Sequence, residues 1–114
     1  MGKTITEKIF SRVTGKDVIA GDIVFPEPEI ITVHDWYVVN FDSALEELGI
    51  SKLYDPDKLI ISTDHEPIAV SLQAVERQKK VRQIVKKYGI KNFFDTGRGG
   101  HGHVFPVEMG LIKP

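Results

Sequence analysis

The sequence predicts an α/β protein: a three-layer-like fragment with a small, mostly parallel sheet and a βαβ unit that has one long crossover helix. Apolar, β-branched runs alternate with amphipathic segments along the chain of 114 residues. In the second half, a strand-like run, a long helical segment and another strand-like run follow at the spacing of a parallel crossover. Length and globular composition fit a single domain over residues 1–114.

The first element is predicted to be a helix from about Ile5 to Val13. Thr4 and Glu7 have the spacing of a capping box, in which the two side chains accept backbone N–H groups of the first turn. Gly15 follows the last apolar residue and is expected to end the helix.

Two short strands and a second helix are expected next. The β-branched runs at 22–25 and 29–33 predict the strands, and the Pro-Glu-Pro at 26–28 separates them because proline cannot continue a ladder. Residues 42–49 begin with an N-cap candidate, Asp42 or Ser43, and end with glycine, which predicts a short helix.

The βαβ unit lies in the second half of the chain. Residues 58–63 form an apolar run typical of a strand buried on both faces, and residues 91–95 form another. Between them, residues 67–88 predict the longest helix, which ends at Gly89. If these two strands are parallel, their carboxyl ends lie at the same edge of the sheet. Ligands bind beyond that edge in such folds.

Composition and charge exclude several classes of protein. The chain has no cysteine and no apolar run long enough to span a membrane, so a cytoplasmic protein without disulfides is expected. Residues 1–57 hold 5 Lys/Arg against 11 Asp/Glu, and residues 58–114 hold 10 against 5.

Much of the positive charge lies in one run. Its members are Arg77, Lys79, Lys80, Arg82, Lys86 and Lys87. No aromatic residues are interleaved with them and an apolar stripe lies opposite, so we expect the solvated face of a helix rather than a nucleic-acid patch.

Polar side chains follow both strands of the βαβ unit. Asp64 and His65 come directly after the first strand, and a glycine-rich loop with His101 and His103 follows the second. The sequence therefore predicts one pocket at this edge of the sheet. The two loop histidines are two residues apart and could chelate a metal, with a third ligand from Asp64, His65 or Asp35.

Each of these features also has a purely structural explanation. Asp64 can cap a helix that begins near Pro67. The glycine-rich loop lacks the spacing of the dinucleotide fingerprint and of the P-loop. His34 and Asp35 precede Trp36, and a transition from surface to core accounts for them equally well.

Six short segments match a known enzyme family in order. They are Met1–Phe10, Gly21–Val24, Tyr54–Lys58, Asp64-His65, Gly89–Phe93 and Glu108–Leu111. Together they resemble the N-terminal part of the aconitase superfamily, and within it the large subunit of 3-isopropylmalate dehydratase. The resemblance implies that the chain is the first portion of an aconitase-type N-terminal domain.

The resemblance also implies an activity and partners. Members of this family are hydro-lyases that remove and re-add water on hydroxy di- or tricarboxylates, in leucine biosynthesis for this branch. Their 4Fe-4S cluster is bound by three cysteines that lie beyond residue 114, so this chain is expected to hold no cluster metal and to be inactive alone. The implied partners are the remainder of the large subunit or a separate chain supplying the cysteines, and the small swivelling subunit. Exposed apolar faces would also permit a homo-oligomer.

Three candidate residues fall on motifs of the family, and a fourth, Arg98, is a candidate from its own chemistry. The Asp-His pair of the family, which helps protonate the leaving hydroxyl, falls on Asp64 and His65. Its Asp-x-Thr motif falls on Asp35-Trp-Tyr, which makes Asp35 a candidate for substrate binding. Arg98, in the glycine-rich loop, could bind a substrate carboxylate or form a salt bridge with the N-terminal half.

The second active-site histidine of the family is harder to place. Counting back from Glu108 puts it at His103, whereas counting forward from Asp95 puts Gly102 there. His103 is therefore the expected catalytic residue, with His101 as the alternative and as a candidate substrate contact. The family glutamine that follows is Val104 here, which leaves the choice of substrate open.

Two functions of other classes follow from the residues alone. One is a small module that binds an anion through the glycine-rich loop. The other is a metal-dependent hydrolase or lyase that uses Asp64, His65, His101 and His103. An inert structural fragment would do neither.

Overall fold

A computed structural model describes residues 2–112, which group into two compact units. Residues 2–29 form the first unit and residues 30–112 form the second. The expectation of one domain over residues 1–114 stays a prediction, and each unit is described by itself. No helix in residues 2–112 has the length and apolar character needed to cross a membrane.

The first unit contains the predicted N-terminal helix, α1, at Ile5–Thr14. The capping box is present: Thr4 Oγ1 accepts the N–H of Glu7 at 3.2 Å, and the Glu7 carboxylate accepts the N–H of Thr4 at 2.7 Å. Gly15 ends the helix with a φ of 68°, a left-handed conformation that glycine adopts without strain. The first helix is therefore confirmed.

The strand predicted at residues 22–25 is wrong, because these residues are irregular. Ile23 and Phe25 are 86% and 92% exposed. No strand lies among residues 2–29, so the backbone here has no ladder partner within its unit. β-Branched residues favour a strand only where a neighbouring strand can exchange hydrogen bonds with it.

The second unit is built on a sheet of three parallel strands in the order β1-β2-β3. The strands are β1 at Ile31–His34, β2 at Leu59–Ser62 and β3 at Asn92–Phe94. Val33 lies beside Ile61, which lies beside Phe93. The parallel βαβ unit is confirmed, and the central strand is buried at all four positions as expected. The third strand is only half-buried, because it lies at the sheet edge.

Two helices cover one face of this sheet. They are α2 at Asp35–Glu47 and α3 at Leu72–Tyr88. Val38 of α2 and Val81 and Ile84 of α3 form a buried cluster with Leu59 and Ile61 of the central strand.

On the opposite face the C-terminal segment lies against β2 and β3, where the ring of Phe105 is 4.8 Å from that of Phe94, which makes the unit three-layer-like as predicted. Because side chains alternate along a strand, Ile60 and Ser62 point away from the helices. Both residues line a small cavity with the buried Pro106, which belongs to the short helix α4 at Phe105–Glu108.

Helix α2 begins seven residues earlier than the sequence suggested. His34 is its N-cap and Asp35 its first residue, so the chain passes from strand to helix without a loop. The predicted caps lie inside the helix, where Asp42 binds Lys87 and Ser43 Oγ donates to a backbone carbonyl of the preceding turn. Asp and Ser occur both at N-caps and at such interior positions, so their presence alone did not locate the start of the helix.

Helix α3 begins at Leu72 rather than Pro67. Its N-cap is Ser71, whose hydroxyl accepts the N–H of Ala74 at 3.1 Å. The explanation in which Asp64 caps this helix is therefore wrong, because Ser71 is the N-cap. The helix ends at Gly89 as predicted, with a φ of 67°.

The basic run lies along α3 and makes ion pairs within the chain. Arg77 pairs with Glu66, Lys87 binds Asp42 and Glu46 of α2, and Arg82 binds Asp95. These contacts support the expected solvated helix face.

Candidate active site

Four polar side chains meet at the carboxyl ends of β1 and β2. His34 is the last residue of β1 and lies beside Ser62, the last residue of β2. The group is completed by Asp35, which follows β1, and by Asp64 and His65, which lie two and three residues beyond β2. One donor atom from each of the four lies within 4.8 Å of the others. We call His34, Asp35, Asp64 and His65 the His/Asp cluster.

Asp64 is the most tightly held member of the cluster. Its Oδ1 lies 2.8 Å from Nδ1 of His65, and its Oδ2 accepts the backbone N–H of Gly102 at 2.7 Å. Burial on its own raises the pKa of Asp64, but the hydrogen bonds from His65 and Gly102 and the nearby imidazoles outweigh it. The pKa of Asp64 therefore lies below its usual range, and the carboxylate is ionised at neutral pH.

Asp35 ties the segment after β2 to the end of β1. Its side chain is 2% exposed. Its oxygens accept the backbone N–H groups of His65 at 3.3 Å and Glu66 at 3.0 Å. These bonds draw residues 65 and 66 toward β1 and explain why α3 does not start there. The buried carboxylate thus fixes the backbone that carries His65.

His34 completes the cluster by stacking on His65. The two imidazole rings lie 3.9 Å apart at their centroids, with planes inclined by 24°. Trp36 packs on the same ring of His65, with centroids 4.8 Å apart. Nδ1 of His34 is buried and has no hydrogen-bond partner among residues 2–112.

The glycine-rich loop reaches the cluster from the end of β3. Arg82 anchors its start by a two-pronged contact with Asp95, at 2.6 and 3.0 Å, and this contact holds the pKa of Asp95 below its usual range. Backbone N–H groups of Arg98, Gly102 and His103 donate to acceptors within the chain, so these three are not available to an anion.

The two loop histidines differ in their relation to the cluster. His103 lines a cavity of about 110 Å³ together with His34, Asp64 and Gly102, whereas His101 does not. Nδ1 of His101 accepts the N–H of His103 at 3.3 Å, and the two rings are 5.0 Å apart. Neither belongs to the group of donor atoms close enough for one metal ion. The side chain of Arg98 is exposed in the same loop.

Sequence reasoning gave little weight to His34 and did not foresee the role of Gly102. The rule that located Asp64 and His65, polar residues after a parallel strand, applies equally to His34 and Asp35. The rule was not extended to them because only the two strands of the βαβ unit were expected to be parallel, whereas β1 also pairs in parallel with β2. The backbone bond from Gly102 to Asp64 has no sequence signal, because any residue but proline carries an N–H.

Asp64 is expected to make folding stability depend on pH in the acidic range. Its pKa is lowered in the folded state, so the unfolded state binds a proton first as the pH falls. The stabilisation is present above the unfolded pKa of about 4 and is lost as the pH falls through the folded pKa. Urea unfolding at a series of pH values measures the free energy of unfolding. As the pH falls from neutral, this free energy should decrease less steeply for Asp64→Asn than for the parent chain.

The control for this measurement is Glu76→Gln, which removes an exposed carboxylate from α3. The free energy of unfolding of this variant should fall with decreasing pH as steeply as that of the parent chain. An equal decline in Asp64→Asn and the parent would contradict the assigned shift of Asp64.

The full chain is similar to curated large subunits of one enzyme, although no family model matches it. It is 40% identical over 114 residues to 3-isopropylmalate dehydratase large subunit 1 of Methanopyrus kandleri, covering 100% of this chain and 27% of that protein. The large subunits of Herpetosiphon aurantiacus and Aquifex aeolicus are 35% and 36% identical over 116 and 115 residues, again covering 100% of this chain and 27% and 26% of theirs. The chain thus spans about a quarter of the length of these relatives.

Proposed function

This chain is a relative of the N-terminal part of 3-isopropylmalate dehydratase large subunits, in the aconitase superfamily, and on that premise we propose that it supplies acid–base side chains to a hydro-lyase. The substrate class is a hydroxy di- or tricarboxylate. The observation that carries the proposal is the Asp64–His65 pair, 2.8 Å apart at the open end of a parallel sheet. Such sheet edges are where α/β folds bind their ligands.

The chemistry of dehydration suits this pair. Removing water from a hydroxy acid needs a base that takes a proton next to a carboxylate and an acid that protonates the departing hydroxyl. Nδ1 of His65 faces Asp64, so Nε2 is the nitrogen left for a substrate. We assign protonated His65 as the acid. Asp64 orients its ring and stays ionised, because the pKa of Asp64 is lowered.

Three loop residues are assigned further roles in the same proposal. His103 is the second active-site histidine, and its place in the cavity beside Asp64 favours it over His101. Arg98 is the candidate for a substrate carboxylate, because its guanidinium offers paired donors from an exposed loop. His101 remains a candidate substrate contact, and the buried Asp35 is reassigned to positioning.

The family cluster does not fit the donors of this chain. Iron–sulfur clusters of this kind are bound by cysteine thiolates. The 114 residues contain no cysteine, and the His/Asp cluster offers only imidazole nitrogens and carboxylate oxygens. We therefore propose that the cluster ligands come from the remainder of the large subunit or from a separate chain, and that a small subunit completes the enzyme.

The test is reconstitution from separate parts. This chain is combined anaerobically with a polypeptide corresponding to the rest of a large subunit and with a small subunit, and the mixture is loaded with iron and sulfide. Hydration of the unsaturated diacid is then followed by its ultraviolet absorbance. We expect turnover only when all parts are present. Turnover without this chain, or none with the full set when an intact large subunit is active under the same conditions, would refute the proposal.

A further inference from the structure

We propose that the His/Asp cluster binds one divalent transition-metal ion, of the kind represented by Zn²⁺ or Co²⁺. The cluster is not a surface collection of acids, because the side chains of Asp35 and Asp64 are only 2% and 4% exposed. Two imidazoles and two carboxylates converge there, at or just beyond the carboxyl ends of two adjacent parallel strands. This inference shares Asp64 and His65 with the hydro-lyase proposal but rests on separate observations and has a separate test.

The separations within the cluster are close to those of metal ligands. Zinc binds nitrogen and oxygen at about 2.0 to 2.2 Å, so two ligands of one ion lie at most about 4 Å apart. Nδ1 of His65 is 3.5 Å from Oδ1 of Asp35 and 2.8 Å from Oδ1 of Asp64. Nδ1 of His34 is 4.0 Å from Oδ1 of Asp35. One donor atom from each residue lies within 4.8 Å of the others. The rings of His34 and His65 are stacked with centroids 3.9 Å apart, so one ring must turn out of the stack before both nitrogens can meet one ion.

His34 supplies a second, independent indication. Its Nδ1 is buried and has no hydrogen-bond partner among residues 2–112. Buried polar atoms are nearly always paired, and an unpaired one calls for a ligand or another explanation. A metal ion beside Asp35 would occupy the unused lone pair of this nitrogen.

The donor set selects the type of ion. Imidazole with carboxylate suits zinc, cobalt, nickel and ferrous iron, whereas calcium and magnesium prefer oxygen alone. Two carboxylates carry a formal charge of −2, which a divalent cation neutralises in this buried place. Backbone N–H groups that donate to Asp35 and Asp64 hold these carboxylates in place, as outer-shell partners do in metal sites.

Metal binding would displace any proton on Nδ1 of His65, so the protonated form of this imidazole releases one proton to solvent when the ion binds. Nδ1 now lies in hydrogen-bond contact with Asp64. On binding, the ring proton resides on Nε2, and the lone pair of Nδ1 goes to the ion. The ion and the substrate acid therefore compete for the same imidazole, and a bound ion would block proton transfer by His65.

The test is metal titration of the chain itself, purified without a histidine tag and freed of metal by a chelator. We expect calorimetry with Zn²⁺ to give one ion per chain and Co²⁺ to give visible absorption bands that Zn²⁺ displaces. His34→Phe keeps a stacking ring and removes the donor atom, so it should weaken binding by about 10-fold or more. Circular dichroism checks that this variant remains folded.

The matched control is His103→Phe, which changes a histidine that lies outside the donor group. Its affinity should stay within about two-fold of the parent chain. The proposal is overturned by the absence of saturable one-to-one binding, by unchanged affinity in folded His34→Phe, or by loss of binding in His103→Phe. If His34→Phe does not fold, Asp64→Asn replaces it with the same expected loss. Because no substrate or cluster is present, failure here and failure of the reconstituted activity are separate results.

Discussion

His65→Ala in the reconstituted enzyme is expected to lower kcat by about 10²- to 10⁴-fold, the usual contribution of one general acid or base. The reason is that Nε2 of His65 is the nitrogen available to a departing hydroxyl once Nδ1 faces Asp64. KM should change far less than kcat, because the proton is transferred only as the carbon–oxygen bond breaks. Steady-state kinetics over a range of pH measures both constants.

Two further variants separate a catalytic role of His65 from a structural one. Asp64→Asn keeps the shape of the side chain but removes the charge, so kcat should fall and its pH dependence should move. Glu76→Gln, on the exposed side of α3, should leave both constants unchanged. Retention of nearly full kcat in His65→Ala would show that another group, such as His103, is the acid.

Gly102→Ala is expected to lower the free energy of unfolding by about 2 kcal/mol, the range for a hydrogen bond to a charged group. A Cβ at this position would lie 2.7 Å from Oδ2 of Asp64 and 3.1 Å from Oγ of Ser62. The methyl group would push the loop away, and Asp64 would lose the N–H that now binds it at 2.7 Å. Backbone strain plays no part, because Gly102 is not among the glycines with positive φ. Urea unfolding measures the change.

Gly100→Ala is a closely matched control from the same loop. A Cβ there would lie 3.8 Å from Cβ of Phe105, an ordinary contact, and the backbone again has no positive φ. Its unfolding free energy should stay within about 0.5 kcal/mol of the parent chain. The pKa of Asp64 should rise toward its usual value in Gly102→Ala, because one of the bonds that lower it is lost. Equal stability of the two variants would mean that the loop does not hold Asp64.

The sequence predicted those elements whose signals are local. The capping box of Thr4 and Glu7 located α1, and the continuous apolar run before Ser62 located the buried strand β2. The rule that ligands bind at the carboxyl edge of parallel strands then led to Asp64 and His65. The first two inferences needed only neighbouring residues, and the third needed only the consecutive elements of the βαβ unit.

The sequence did not predict features that depend on distant partners. The start of α3 was misplaced because the N–H groups of His65 and Glu66 bind Asp35, which lies about 30 positions earlier. The run at 22–25 has strand-forming residues but no strand beside it within its unit. The stacking of His34 on His65 likewise became visible only once β1 and β2 lay side by side.

The strand order β1-β2-β3 has a consequence for how the unit assembles during synthesis. Each strand pairs with the one made just before it, so contacts can form in the order in which residues leave the ribosome. Asp35 is in place before His65 and Glu66 arrive to bind it. The N–H of Gly102 is the last of these groups to be made, eight residues after β3 ends, so the nascent chain can complete its sheet before Asp64 receives its final hydrogen bond.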